Sequence, residues 1–299
     1  MESIQSKIFK FMLRVVNLKK MWEVTGDKLK KDMKKKQLSE SHEPPKKFQR
    51  RFDIIEKEIN GYCYYIMKPL KNVGQKHILF LHGGGYVYEI MNLEWKFIAK
   101  LLNSLRCTIT VPIYPLTPKH QYQEVFNMIV PIYQQIISDV KLKDVIIMGD
   151  SAGGGMSLAL AQLAKKDELP QPGNIILISP ALDMTFSNPE IHEVEKLDPI
   201  SAVPGLIDIM KWYGGKKGSE NYLVSPLYGN FEGLGKISLF IGTHDILYPD
   251  ARKFKEIMDE KGININYYEY PSMIHVWPLF FFPESKKAKR QIIEIIKAS

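Results

Sequence analysis

The sequence predicts an α/β fold, a mainly parallel central sheet with helices on both faces. From residue 77 onward, short runs rich in Ile, Leu and Val recur, and stretches with helical spacing fill the gaps between them. The runs lack strict apolar–polar alternation, as strands covered on both faces do. Strand and helix alternating at this rhythm give a parallel sheet with helices packed on its two sides. With 299 residues and 45% hydrophobic content, the chain can bury a large core as one folded unit.

Residues 1–45 form a basic, helix-prone arm that ends at Pro44-Pro45. Within it Ile4, Ile8, Phe11, Met12, Val15, Val16 and Trp22 recur at helical spacing, which predicts an amphipathic helix over 3–22. Phe52–Ile59 and Tyr62–Met67, separated by Asn60-Gly61, read as an antiparallel hairpin. The buried strands are His77–His82, Cys107–Tyr114, Asp144–Gly149, Asn174–Ser179 and Ile237–Thr243. Leu93–Leu105, Val125–Ile137, Gly154–Ala164 and Ala251–Lys261 carry the helical spacing between them. Residues 183–223, rich in Pro, Gly and aromatics, interrupt the rhythm as an insertion. Ile263–Tyr270 is expected as the last strand and Ser285–Lys297 as a closing helix.

The net charge of +8 resides in residues 1–50, where fourteen Lys and Arg face six acids, and the rest of the chain is balanced. Only the arm therefore suggests an anionic partner, and no nucleic-acid surface is expected. No apolar run is long enough for a transmembrane helix, and the basic N-terminus lacks the pattern of a signal peptide. Cys63 and Cys107 are too few for a disulfide framework or a zinc site. A cytoplasmic protein with reduced thiols is the expectation.

Gly149-Asp150-Ser151-Ala152-Gly153 follows an apolar strand and opens a helix. Small residues flanking a serine let the backbone turn sharply, lifting the hydroxyl above the sheet. The helix N-terminus beneath favours developing negative charge. Earlier, His82-Gly83-Gly84-Gly85 ends a strand, and it lacks the Lys-Ser/Thr of a phosphate loop. Backbone N–H groups of Gly83 and Gly84, with that of Ala152, are the expected donors to a tetrahedral oxyanion. A serine needs a base, and the base a group that fixes its tautomer. Of the seven histidines, His275 alone follows the last strand. Asp245 ends the strand ISLFIGT, whereas Asp250 reads as a helix-start residue, and Asp183 and Asp198 lead into or lie within the insertion. The order Ser151, Asp245, His275 is the order in which a strand-to-helix serine elbow finds its partners.

These motifs together resemble the hormone-sensitive-lipase branch of the α/β-hydrolase esterases. The resemblance rests on His82-Gly-Gly-Gly85-Tyr86, Gly149-Asp-Ser-Ala-Gly-Gly154, Gly242-Thr-His-Asp245-Ile-Leu247 and His275, with Asp198-Pro199 and Ser225-Pro226-Leu227. It spans roughly residues 50–299 and implies an α/β-hydrolase fold with a helical cap. The cap would comprise N-terminal helices in 1–45 and the insertion 183–223, set on a core of 46–182 and 224–299. Where the family usually has Tyr-Arg-Leu-Ala-Pro-Glu, this chain reads Tyr114-Pro-Leu-Thr-Pro-Lys119, and Val276-Trp277-Pro278-Leu279 follows the histidine.

The expected activity is hydrolysis of a small-molecule carboxylic ester through an acyl-enzyme, with neither metal nor organic cofactor. A peptidase or amidase using the same residues is the enzymatic alternative. A catalytically silent binding protein on the same fold is the other class. Of Phe186, Trp212, Tyr213, Tyr222 and Trp277, most are expected in the cap core, and any that line the acyl site favour short chains. The N-terminal amphipathic helix has two readings, closure over the site as part of the cap or weak contact with an anionic membrane surface. The resemblance favours the cap, and it also allows a homodimer through sheet edges or cap surfaces.

Overall fold

The computed structural model describes residues 2–215, 218 and 220–298. Lys216, Lys217 and Ser219 of the expected insertion lie outside the described residues. The chain opens with α1 (Ile4–Val16), α2 (Lys20–Glu23), α3 (Gly26–Ser39) and α4 (Lys46–Gln49). The hairpin β1 (Phe52–Ile59) and β2 (Tyr62–Pro69) follows, then β3 (His77–Leu81), α5 (Asn92–Leu105), β4 (Thr108–Pro112) and α6 (Tyr122–Asp139). Next come β5 (Val145–Asp150), α7 (Ala152–Lys166) and β6 (Asn174–Ile178), then α8 (Ile191–Glu195) and α9 (Val203–Gly214) of the insertion. β7 (Lys236–His244), α10 (Tyr248–Glu260), β8 (Asn266–Ile274) and α11 (Pro283–Ala298) complete it.

The strands form one eight-stranded sheet in the order β1-β2-β4-β3-β5-β6-β7-β8. β1 and β2 pair antiparallel, as does β2 with β4, and every other pairing is parallel. Successive side chains on a strand point to opposite faces. Val145, Ile147, Ile175, Leu177, Leu239 and Ile241 accordingly pack on one side with α6, α7 and α10. Ile146, Met148, Ile176, Ile178 and Phe240 pack on the other with α5 and α11. Full burial of such a side chain contributes about 1.5–3 kcal/mol, so both faces hold the sheet in register.

The expected last strand begins at Ile263, whereas β8 begins at Asn266. Gly262, at φ +66, ends α10, and the Ile263 N–H closes back on the Met258 carbonyl. Ile263 thus belongs to a helix terminus of the kind glycine makes.

The expected single helix over 3–22 divides at Asn17, which is left-handed at φ 52. α2 and α3 lie against α9, and the Gly26 N–H donates to Asp208 Oδ2 at 2.8 Å. α1 instead lies on α11 and β8 with its polar side inward, so its apolar stripe does not close over the site. Ser3 donates to Glu284 through its N–H at 2.6 Å and its hydroxyl at 2.8 Å. Buried Lys10 pairs with Glu2 at 2.7 Å and donates to the Ser272 carbonyl at 3.1 Å. These polar bonds, with half-buried Phe9 and Leu13 packed on the core beside them, fix which face of α1 is turned inward.

Candidate active site

Because β3, β5, β7 and β8 are parallel, the loops leaving their C-terminal ends gather at one edge of the sheet. Ser151 leaves β5 at φ 52, ψ −121 and caps α7. A non-glycine residue holds such angles only where its surroundings enforce them. Its N–H donates to the Ile178 carbonyl at 2.9 Å, and its carbonyl accepts from Ala181 at 3.0 Å. A Cβ at Gly149 would lie 2.2 Å from the Gly153 carbonyl oxygen, and one at Gly153 would lie 1.9 Å from that of Leu81. The two glycines are what let the elbow pass between β3 and α7.

His275 follows β8 directly. The Ser151 hydroxyl donates to its Nε2 at 2.8 Å, and its Nδ1–H donates to Asp245 Oδ2 at 3.0 Å. Asp245 is fully buried, and its other oxygen accepts the Leu247 N–H at 3.0 Å. The structure thus brings together all three residues singled out in sequence. Burial alone would lower the pKa of His275, but the charge and hydrogen bond of Asp245, with Asp198 beyond it, raise it above 6.5. The imidazole is oriented to take a proton from Ser151 and stabilised once it has done so.

Two supports for this relay escaped the sequence reading. Asp198 is buried, and its Oδ2 accepts the Ile246 N–H at 3.0 Å, beside Asp245. Its Oδ1 accepts from Ile200 at 2.7 Å and Ser201 at 3.1 Å, tying the insertion to the acid loop. Burial, then the charge of Asp245, pushes the Asp198 carboxyl up to about 6. Ser179 Oγ accepts the Val276 N–H at 3.0 Å and so holds the left-handed turn after His275. The Asp198-Pro199 pair was visible in sequence, but its partner Ile246 lies 48 residues on.

The glycine loop corrects one expectation. The Gly83 N–H donates to Glu94 Oε1 at 2.8 Å in the buried interior, so it is already satisfied and is not an oxyanion donor. Gly84, Gly85 and Ala152 line the cavity in front of Ser151, and Gly83 does not. Tyr114, the first residue of the divergent segment, donates its hydroxyl to the His82 carbonyl at 2.8 Å. His82 is stacked on the Tyr114 ring at 4.2 Å, and burial lowers its pKa to about 4, which leaves it neutral. Gln37 of α3 donates to the carbonyls of Val87 at 2.7 Å and Thr117 at 3.0 Å. Tyr114 and Gln37 thus brace the loop where the family's Arg and Glu are missing.

The cavity measures about 230 Å³ and is lined mostly by apolar groups, with Met184 and Phe186 from the insertion, Leu206 and Met210 from α9, and Val276 and Phe280 beyond the histidine. Leu18, Met21 and Trp22 add the N-terminal wall. Of Phe186, Trp212, Tyr213, Tyr222 and Trp277, only Phe186 lines the cavity. Tyr213 is buried against Tyr86 at 4.0 Å, and Trp277 is buried against Tyr270 at 5.0 Å. Among the described residues, no group of His, Cys, Asp and Glu could hold a metal ion, and no helix is long and apolar enough to cross a membrane.

The alpha/beta hydrolase fold family matches residues 78–279, and the chain belongs to it. EstE7, a hormone-sensitive-lipase homologue from a metagenome library, shares the fold, with a TM-score of 0.82 at 22% identity over 99% of both chains. An esterase of Acinetobacter venetianus is 28% identical over 230 residues, 73% of this chain and 73% of that protein. A putative esterase from Staphylococcus aureus superposes with a TM-score of 0.85 at 27% identity, over 91% of this chain and 93% of that one. EstE5, soaked with p-nitrophenyl butyrate, does so with 0.85 at 25% identity, over 99% of both chains.

Proposed function

We propose that this protein is a serine esterase for small carboxylic esters of short acyl chain, acting through an acyl-enzyme on Ser151. The observation that carries this reading is the Ser151–His275–Asp245 relay, at 2.8 and 3.0 Å, on the floor of an apolar cavity. Ser151 Oγ attacks the ester carbonyl while His275 Nε2 takes its proton. The N–H groups of Gly84, Gly85 and Ala152 receive the oxyanion. Collapse of the intermediate breaks the bond to the alcohol, which leaves with the proton from His275. Water then repeats the sequence on the acyl-enzyme, releasing the acid and restoring Ser151. The asymmetric, largely apolar lining supports an ester over a peptide, since a buried peptide N–H would need an acceptor there. A cavity of about 230 Å³ supports a small acid. The two free thiols, Cys63 and Cys107, are compatible with a reducing cytoplasm. The test is a rate profile over p-nitrophenyl esters of increasing acyl length, with fluorophosphonate labelling mapped by mass spectrometry. Labelling at Ser151 and a maximum at acetate or butyrate are expected, and labelling at another residue overturns the reading.

A further inference from the structure

We propose that α1 is a docking face for an anionic lipid bilayer, resting its apolar stripe in the membrane surface with the mouth of the cavity beside it. An amphipathic helix of a globular protein ordinarily turns its stripe toward the core. α1 does the reverse. Ile4, Ile8, Phe11, Met12, Val15 and Val16 are 55% to 73% exposed, whereas Ser6 and Lys10 on the opposite side are buried. The inversion is built in, because the inner side is bonded along its length. Ser3 binds Glu284, Lys10 binds Glu2 and the Ser272 carbonyl, and Arg14 reaches the Leu197 carbonyl at 3.3 Å. Turning the stripe inward would break the contacts to Glu284, Ser272 and Leu197.

The stripe is continuous with the substrate cavity. Leu18, just past its end and 37% exposed, lines the cavity wall. Phe9 of α1 lies 4.7 Å from the ring of Phe280, which also lines it, and 5.4 Å from that of Phe281, which is 68% exposed.

Charge identifies the occupant. Residues 1–50 carry the whole net charge of +8, and Lys7, Arg14 and Lys20 are exposed around the stripe. α3 adds exposed Lys28, Lys30, Lys31, Lys34 and Lys35. A second copy meeting this face about a two-fold axis would set the same basic arm against itself. A bilayer rich in anionic headgroups takes up the apolar side chains and attracts the lysines together. The 13 residues of α1 make a rod of about 20 Å, enough to lie in the interface and too short to span it.

Vesicle sedimentation reads this without turnover, so docking and esterase activity stand or fall separately. The full chain is mixed with vesicles of phosphatidylcholine containing phosphatidylglycerol, and with vesicles of phosphatidylcholine alone. Binding to the first, much weaker binding to the second, and a decline with added salt are expected. Ile8→Gln/Phe11→Gln/Val15→Gln changes only exposed side chains. It should weaken binding by about tenfold or more, while turnover of p-nitrophenyl acetate in plain buffer stays unchanged. Lys7→Glu/Lys20→Glu should weaken binding to the anionic vesicles and flatten its salt dependence. Absence of wild-type binding, or undiminished binding by the triple-Gln variant, overturns the proposal. A solution dimer that the triple-Gln variant dissolves, without vesicle binding, also overturns it and assigns the face to a second copy.

Discussion

Glu94 and Asp150, the residue before the nucleophile, lie close enough in the fully buried interior for each carboxyl to act on the other. Two buried carboxylates so close cannot both ionise cheaply. Burial raises both groups. N–H donation from Met91 at 2.6 Å and Gly83 at 2.8 Å restrains Glu94 to about 7. Asp150, raised by burial and then by the charge of Glu94, stands well above the carboxylate range. Glu94 accepts two N–H groups and Asp150 Oδ1 has none, so Asp150 is the member held protonated, while the oxygens of Glu94 anchor the glycine loop.

Asp150→Asn replaces that protonated acid with an amide that is also neutral, so activity should stay within about threefold of wild type. Glu94→Ala strands the Gly83 and Met91 N–H groups and should lower stability by about 2–4 kcal/mol, with a drop in kcat greater than any rise in KM. The pair also sets a pH trend. Asp150 binds its proton in the folded state at pH values where the unfolded chain has released it, so folding is favoured at low pH and loses that contribution as pH rises. The slope is about 1.4 kcal/mol per pH unit while the extra proton is held. Asp150→Asn removes this slope, so its melting temperature should gain on wild type as pH rises above 4. A constant difference between the two would assign the proton elsewhere.

Ser151, His275 and Asp245 act as a unit if the relay is catalytic. Ser151→Ala, His275→Ala and Asp245→Asn should each lower kcat by about 10³-fold or more with the fold retained by circular dichroism. Undiminished turnover in a Ser151→Ala variant would sink the assignment.

The pH–rate profile follows from the surroundings of His275. Activity requires the neutral imidazole, and Asp245 and Asp198 raise its pKa against the effect of burial. The acid limb of kcat/KM should therefore lie above pH 6.5, with activity lost as pH falls through it. Asp198→Asn removes one of the two charges and should move this limb to lower pH. It also sets an amide N–H against one of the N–H groups of Ile200, Ser201 and Ile246, so kcat should fall about tenfold or more. An unmoved limb would leave Asp198 with a purely structural role.

The strands were legible because each buried run, such as DVIIMG before Ser151, is short, apolar and bounded by turn residues. Ser151 and Asp245 were legible because each stands just beyond such a run, and His275 because it is the one histidine after the expected last strand. Gly83 was misread because its spacing matched an oxyanion loop, while the acceptor of its N–H, Glu94, lies on a helix eleven residues on. α1 shows the other boundary of sequence reasoning. Periodicity fixes that Ile4, Ile8, Phe11, Met12, Val15 and Val16 share a face, but tertiary contacts of Ser3, Phe9, Lys10 and Arg14 decide whether that face meets core or solvent. The insertion hid α9 behind Pro204 and Gly205, although proline in a first turn is itself a helix-start signal.

Acyl length is the property that the cavity wall should control. Phe186 and Met210, both of the insertion, line a space of about 230 Å³ before Ser151. Acetate and butyrate esters fit there, whereas a palmitoyl chain would have to displace wall residues or remain in water. Wild type should therefore turn over p-nitrophenyl acetate and butyrate well ahead of palmitate. Phe186→Ala or Met210→Ala opens room for two or three further methylenes, each contributing about 0.8 kcal/mol on burial. The octanoate-to-acetate ratio of kcat/KM should then rise by about 15- to 60-fold, mainly through the octanoate term, while acetate turnover changes little. Phe186 is buried from solvent, so each variant's melting temperature is recorded alongside, and a ratio unchanged in a folded variant removes these residues from acyl recognition. A wild-type maximum at twelve carbons or more would make the cavity a lipase site that opens on substrate.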